Sequence, residues 1–84
     1  MSVEGKTKRK LDKYIDAIKE IIKEKMKPGD RLVDVSYVEL MIRLDVGHST
    51  ALASLKAICM MLGEKYDRGT CFFDVSKILG EEHR

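Results

Sequence analysis

The histidines and cysteines, which are the usual zinc ligands, are His48, Cys59, Cys71 and His83. A zinc site of the common kinds needs its cysteines or histidines in close pairs, and none of these four is that near to another. The sequence also has no phosphate-binding loop and no GxGxxG turn. No pair of carboxylates lies in a sequence context typical of an active-site pocket, and a chain of 84 residues has little room for a closed one. We therefore expect no catalytic residue, no metal, no cofactor and no enzymatic activity.

The two cysteines lie in apolar stretches of the sequence, which favours packing in the core. The N-terminus lacks the apolar segment of a signal peptide, so we expect a cytoplasmic protein in which both side chains are reduced thiols. No apolar run approaches the ~20 residues of a membrane span. The abundance of Lys, Glu and Ile is also seen in thermophilic proteins.

Other polar side chains have types that suit contact with a nucleic acid. Hydroxyl, imidazole and ammonium groups that could reach base edges occur together at His48, Ser49, Thr50, Ser54 and Lys56. Groups that could contact the phosphate backbone lie at Lys65, Tyr66 and Arg68 and at Lys8, Arg9 and Lys10. The alternative for each is an ordinary solvated surface residue, and Ser49 and Thr50 are also common at helix starts.

The net charge of +2 excludes a polycation that coats nucleic acid by charge alone. The positive charge is concentrated at the start of the chain. Residues 1–28 hold nine Lys or Arg and five Asp or Glu, whereas residues 29–63 and 64–84 each carry a net charge of −1. Residues 1–7 are expected to be a flexible basic arm, and residues 8–75 the single domain.

The first periodic segment, from Lys8 to Met26, predicts an amphipathic helix. Its apolar stripe consists of Leu11, Ile15, Ile18, Ile22 and Met26. Tyr14 and Ile21 widen the stripe beyond what a small core needs, so we expect a homodimer that forms through this helix. Alternatively, Tyr14 packs under Ile78 and Leu79 of its own chain.

Three further elements follow a Pro-Gly-Asp turn at residues 28–30. Residues 31–35 alternate like a short strand. Ser36, with Glu39 three residues later, predicts a reciprocal capping box and a second helix to about Leu44, which buries either Val38 or Leu40. The third helix is expected from about Ser49 to Leu62, where Gly63 ends it.

The remaining residues predict a β-hairpin and an undefined C-terminal segment. Two β-rich runs, residues 65–66 and 70–75, flank the turn Asp67-Arg68-Gly69. Residues 76–84 are either one more helical turn or a loose tail. The predicted class is therefore α+β and mostly helical, a winged helix-turn-helix with three helices, a short strand and a C-terminal β-hairpin wing.

This order of elements and several short motifs resemble the DNA-binding domain of the GntR family of repressors, over residues 8 to about 75. The motifs are Pro28-Gly29-Asp30-Arg31-Leu32; Ser36, Glu39, Leu40, Leu44 and Val46; Ser49-Thr50 with Leu55; and Arg68-Gly69-Thr70-Cys71-Phe72. Val38, His48 and Leu52 stand where the family has basic residues, two extra residues precede Ser36, and the family's effector domain is missing. The resemblance therefore implies DNA binding without ligand control.

Two functions are compatible with these features. The first is a small transcriptional regulator that binds double-stranded DNA as a homodimer, with the third helix in the major groove and the wing on the flanking backbone. The second is a protein-interaction module in a transcription or replication assembly, whose partner binds the third helix. The apolar Leu52, Met60 and Met61 favour this second function.

Overall fold

The computed structural model describes the backbone of residues 3–80 and the side chains of residues 11–80. This part of the chain forms an α+β fold with four helices and one three-stranded antiparallel sheet. The elements in chain order are α1 (Val3–Lys25), β1 (Leu32–Ser36), α2 (Tyr37–Leu44), α3 (His48–Met61), β2 (Lys65–Asp67), β3 (Thr70–Asp74) and α4 (Val75–Leu79). The α+β class is as predicted, and the C-terminal segment whose form the sequence left open contains a short helix.

The sheet has the order β1-β3-β2, so β3 is its central strand. Val33 pairs with Phe73 and Val35 with Cys71, and these four side chains are buried. Alternate residues of each strand lie on the other, more exposed face, as the period of two requires. The buried face of the sheet therefore forms one core with the apolar sides of the helices.

The start of α2 confirms one half of the predicted capping box and corrects the other. The Ser36 hydroxyl accepts a hydrogen bond from the Val38 N–H at 3.0 Å, as an N-cap side chain should. Glu39 does not return to Ser36, because its carboxylate accepts a hydrogen bond from the Lys25 ammonium at 2.9 Å. A charged donor at the end of α1 thus replaces the main-chain N–H as the partner. Of the two candidates for burial, Leu40 is buried and Val38 is exposed.

A glycine ends α3 and an aspartate begins α4. After α3, Gly63 has φ +70°, and main-chain bonds run from Gly63 to Met60 and from Glu64 to Cys59, which is the Schellman pattern. Asp74 caps α4 by accepting bonds from the N–H and hydroxyl of Ser76, and these bonds lower the pKa of Asp74. Ile78 and Leu79 of α4 are buried in the main core.

Helix α1 differs from its prediction in two ways. It begins at Val3, five residues before the predicted start at Lys8. Tyr14 and Ile21, which were expected to form a dimer interface, are 5% and 4% exposed within a single chain. Both side chains belong to the core of one chain and are not available to a partner.

The expectation of two free thiols is wrong. Cys59 of α3 and Cys71 of β3 form a disulfide with a Cα–Cα distance of 6.0 Å, and both residues are fully buried. The prediction that both cysteines pack in the core is confirmed. Thiols were expected because the cytoplasm is reducing. The pairing itself leaves no local signal, since the two cysteines are 12 residues apart on different elements and meet only when α3 packs on β3.

Ile21 and Ile42 offer a matched test of the corrected role of α1. Ile21 is buried and Ile42 is 78% exposed. Ile21→Ala should lower the free energy of unfolding by about 2–5 kcal/mol, because it opens a cavity in the core. Ile42→Ala should change it by no more than about 0.5 kcal/mol. Urea unfolding of dilute protein, in which copies do not associate, measures both values. Equal losses in the two variants would show that Ile21 does not belong to the core.

The disulfide should contribute strongly to stability because it closes a loop in a small domain. For a loop of this length, removing the crosslink with Cys59→Ala plus Cys71→Ala should lower the free energy of unfolding by about 3 kcal/mol. Urea unfolding of the parent chain with and without a phosphine reductant should show a similar difference, to which the double variant is insensitive. Equal stability of the oxidised and reduced parent would contradict this role.

Candidate nucleic-acid interface

The candidate interface combines the exposed side of α3 with the tip of the β2–β3 hairpin, and we call it the α3–hairpin face. At the tip, Asp67 pairs with Thr70 and only two residues form the loop. Arg68 has φ +47° and Gly69 has φ +80°, so both central residues are left-handed, as in a type I′ turn. This turn matches the right-handed twist of the two strands, and Arg68 is exposed at its tip.

The hairpin tip is fastened to the start of α2. The Tyr37 N–H donates a hydrogen bond to the Gly69 carbonyl at 2.9 Å. The Tyr37 ring also lies directly against Gly69, because a Cβ built on this glycine would be 2.6 Å from ring atom Cδ1 and 3.4 Å from Cδ1 of Leu52 on α3. Only glycine allows this approach together with a positive φ.

Two ring contacts continue the connection along α3. His48 meets the Tyr37 ring edge to face, with 4.8 Å between centroids and 83° between planes. The Lys56 ammonium lies 5.9 Å from the centroid of the Tyr66 ring on β2. His48, Leu52 and Lys56 are four residues apart, so one side of α3 follows the hairpin for two turns.

The structure brings most of the predicted contact residues together and separates two. Ser49 is exposed on the first turn of α3. Thr50 is exposed and Ser54 is half-buried, and both lie about 200° around the helix from Leu52, away from the hairpin. The remaining predicted residues on the hairpin are Lys65 and Arg68, which are exposed, and Tyr66, which is half-buried.

The N-terminal part of the prediction cannot be placed on this face. Lys8, Arg9 and Lys10 are in helix α1 by their backbone, and their side chains lie outside the described residues. Their contact with phosphate therefore stays a prediction.

The charge of the α3–hairpin face is positive but modest. Within residues 48–61 and 65–70 the permanent cations are Lys56, Lys65 and Arg68, against the single carboxylate of Asp67. The rest of the exposed side of α3 is neutral: Ala53 and Ala57 are exposed, and Met60 and Met61 are 67% and 64% exposed. A polyanion would therefore meet most of the positive charge along the hairpin and the middle of α3.

Sequence reasoning did not single out Tyr37 and Gly69 as the residues that position this face. The Arg-Gly pair indicated the turn, but the sequence carried no signal that α2 would supply a ring to cover it. The disulfide was also missed, and it joins the last turns of α3 to the strand that follows the hairpin tip.

Among residues 11–80 no group of three or more His, Cys, Asp or Glu side chains is placed to hold a metal ion. No helix in the described part of the chain has the length and apolarity that a bilayer crossing requires. Comparison with protein-family models, with curated proteins and with solved structures finds no significant match.

Gly69→Ala should loosen the hairpin from α2, because the new methyl group would meet the Tyr37 ring in addition to the strain of a positive φ. Gly29→Ala is the matched control: Gly29 also has a positive φ, +93°, but nothing lies within 4 Å of the position that a Cβ would occupy. The control should lose about 1–2 kcal/mol of unfolding free energy. Gly69→Ala should lose more, as measured by urea unfolding, and equal losses would mean that the Tyr37 contact adds nothing.

Proposed function

We propose that this chain is a small winged-helix protein that binds duplex DNA and acts as a transcriptional regulator. The observation that carries the proposal is the fastening of the hairpin tip to the first turns of α3, through Tyr37 and Gly69. This contact makes one surface from two elements. In the proposal α3 enters the major groove and the hairpin serves as the wing on the flanking backbone.

The dimensions and side chains of α3 are compatible with this arrangement. A helix is about 10–12 Å in diameter, which matches the ~12 Å width of the major groove. Ser49 and Thr50 are exposed at its first turn, where a recognition helix contacts base edges. Their hydroxyl groups can donate or accept hydrogen bonds, and Lys56 follows two turns later.

The conformation of Arg68 gives further support. A left-handed conformation disfavours residues with a side chain by roughly 1–2 kcal/mol, and type I′ turns usually have Asn, Asp or Gly at this position. An arginine at φ +47° therefore lowers the stability of the fold, and at an exposed tip its side chain has no packing contacts that would offset this cost. Contact between its guanidinium group and phosphate would explain the choice.

A homodimer that assembles on the DNA remains part of the proposal, because two copies on one duplex would combine two modest readers of DNA into one site. Tyr14 and Ile21 are not its contacts, since both are buried within one chain.

The second candidate function is a module that binds a protein partner through α3. It is favoured by the exposed Met60 and Met61, which give the end of α3 an apolar surface, and by the low charge of the exposed helix. In that case the chain would not bind duplex DNA measurably and would show no preference for a DNA sequence.

Arg68→Asn separates folding from binding. Asn tolerates the left-handed conformation better than Arg, so the free energy of unfolding should rise by up to about 1 kcal/mol. DNA affinity should nevertheless fall equally for all sequences, and the slope of log affinity against log salt should lessen by about one unit. Gel shifts on random duplexes at several salt concentrations measure both quantities.

Lys27→Asn is the charge-matched control. Lys27 precedes β1 at Leu32, and Leu32 pairs with Asp74, whereas Ser36 at the other end of β1 pairs with Thr70 beside the hairpin tip. Lys27 therefore precedes the end of β1 that is farther from Arg68, and DNA binding should be unchanged. Loss of binding in both variants alike would show only a general charge effect, and absence of binding by the parent chain would favour the protein partner.

A further inference from the structure

Outside the α3–hairpin face, an apolar ridge is exposed on α2. It consists of Val38 and Ile42, one helical turn apart, which are 44% and 78% exposed. We call it the α2 ridge. Ile42 borders a groove of about 360 Å³ between α1 and α2, whose apolar floor includes Ile21. An isoleucine so exposed next to a groove is typical of a surface that contacts another molecule.

The charge around the α2 ridge is negative. Arg43 forms salt bridges with both Glu20 and Glu24, at 3.1 and 2.6 Å, and these bonds raise the pKa of Arg43, that with Glu24 most. Lys25 likewise forms salt bridges with Glu39, at 2.9 Å, and with Asp34, at 4.0 Å. Each cation therefore faces two carboxylates.

Three carboxylates around the ridge also remain open to further partners. The side chains of Glu20, Glu24 and Asp34 are mostly exposed. The ridge is thus an apolar projection surrounded by carboxylates that attract cations.

A second apolar surface has the opposite charge. A groove of about 150 Å³, which we call the α4 groove, lies where α1, the end of α3 and α4 meet. Its apolar lining consists of Ile15, Ile58, Met61, Leu62 and Ile78. The charged side chains of the described residues that line it are Lys19, which already has an interaction partner, and Lys77.

The two surfaces lie on opposite sides of α1. Ile21 and Glu24 border the groove beside the α2 ridge, and Ile15 and Lys19 line the α4 groove. At 100° per residue, Glu24 is half a circumference from Ile15, and Ile21 is about 200° from Lys19. The ridge of one chain therefore cannot reach the groove of the same chain.

We propose that this protein associates with itself head to tail, with the α2 ridge of one copy seated in the α4 groove of the next. Ile42 is the apolar projection and Met61 and its neighbours are the recess. The exposed carboxylates around the ridge face Lys77 at the groove. An interface between two different surfaces on opposite sides of the chain is heterologous, so it extends into a row or ring instead of closing as a two-fold dimer. The proposal is independent of DNA binding.

Complementary variants test this arrangement by sedimentation equilibrium. Ile42→Glu removes the ridge and keeps the groove, whereas Met61→Glu disrupts the groove and keeps the ridge. Both positions are mostly exposed, so both variants should fold, which circular dichroism checks. The parent chain should gain mass with rising concentration, and each variant alone should stay monomeric. An equal mixture of the two variants should recover a species of two chains and none larger, because one intact ridge meets one intact groove.

Met60→Glu is the control, because Met60 is as exposed as Met61 but does not line the groove. It should associate like the parent chain. Added salt should weaken association of the parent, since the contact joins opposite charges near the surface. A parent that is monomeric at every concentration would overturn the proposal. So would a mixture of the variants that stays monomeric while the parent associates, because a symmetric interface would then be at work.

Discussion

The contact between Tyr37 and Gly69 joins three elements that are distant in sequence. Its hydrogen bond holds the first residue of α2 to the hairpin tip, and the ring occupies the space where any other residue at position 69 would have a side chain. His48 packs on the same ring at the start of α3. The orientation of the hairpin relative to α3, and with it the whole α3–hairpin face, depends on this contact.

Local signals predicted the elements whose boundaries depend on a few adjacent residues. Ser36 begins α2 and Gly63 ends α3 because a hydroxyl cap and a left-handed glycine satisfy the exposed main-chain groups of a helix end. Gly69 indicated the hairpin turn for a similar reason, since it has the positive φ that the turn requires. These requirements act within about four residues, so a single sequence is sufficient to detect them.

Features that depend on distant packing were not accessible in the same way. The periodicity of α1 showed that Tyr14 and Ile21 face the apolar side of the helix, but not whether the same chain or a second chain would cover them. The side chain of Glu39 was expected to cap its own helix, and the end of α1 instead supplied a stronger donor. For the candidate site, the sequence assigned the candidate residues to α3 and the hairpin, whereas Thr50 and Ser54 lie on the side of the helix away from the hairpin.

The disulfide has a topological consequence for the hairpin. Cys59 and Cys71 enclose the segment that holds β2 and the hairpin tip, so this part of the chain is a covalent ring. Arg68 is exposed within the ring and is the kind of residue after which trypsin cuts. A cut there would open the ring without releasing a fragment, because the disulfide would still connect the two pieces. The two ends of the cut would remain attached through Cys59 and Cys71, the one on α3 and the other on β3.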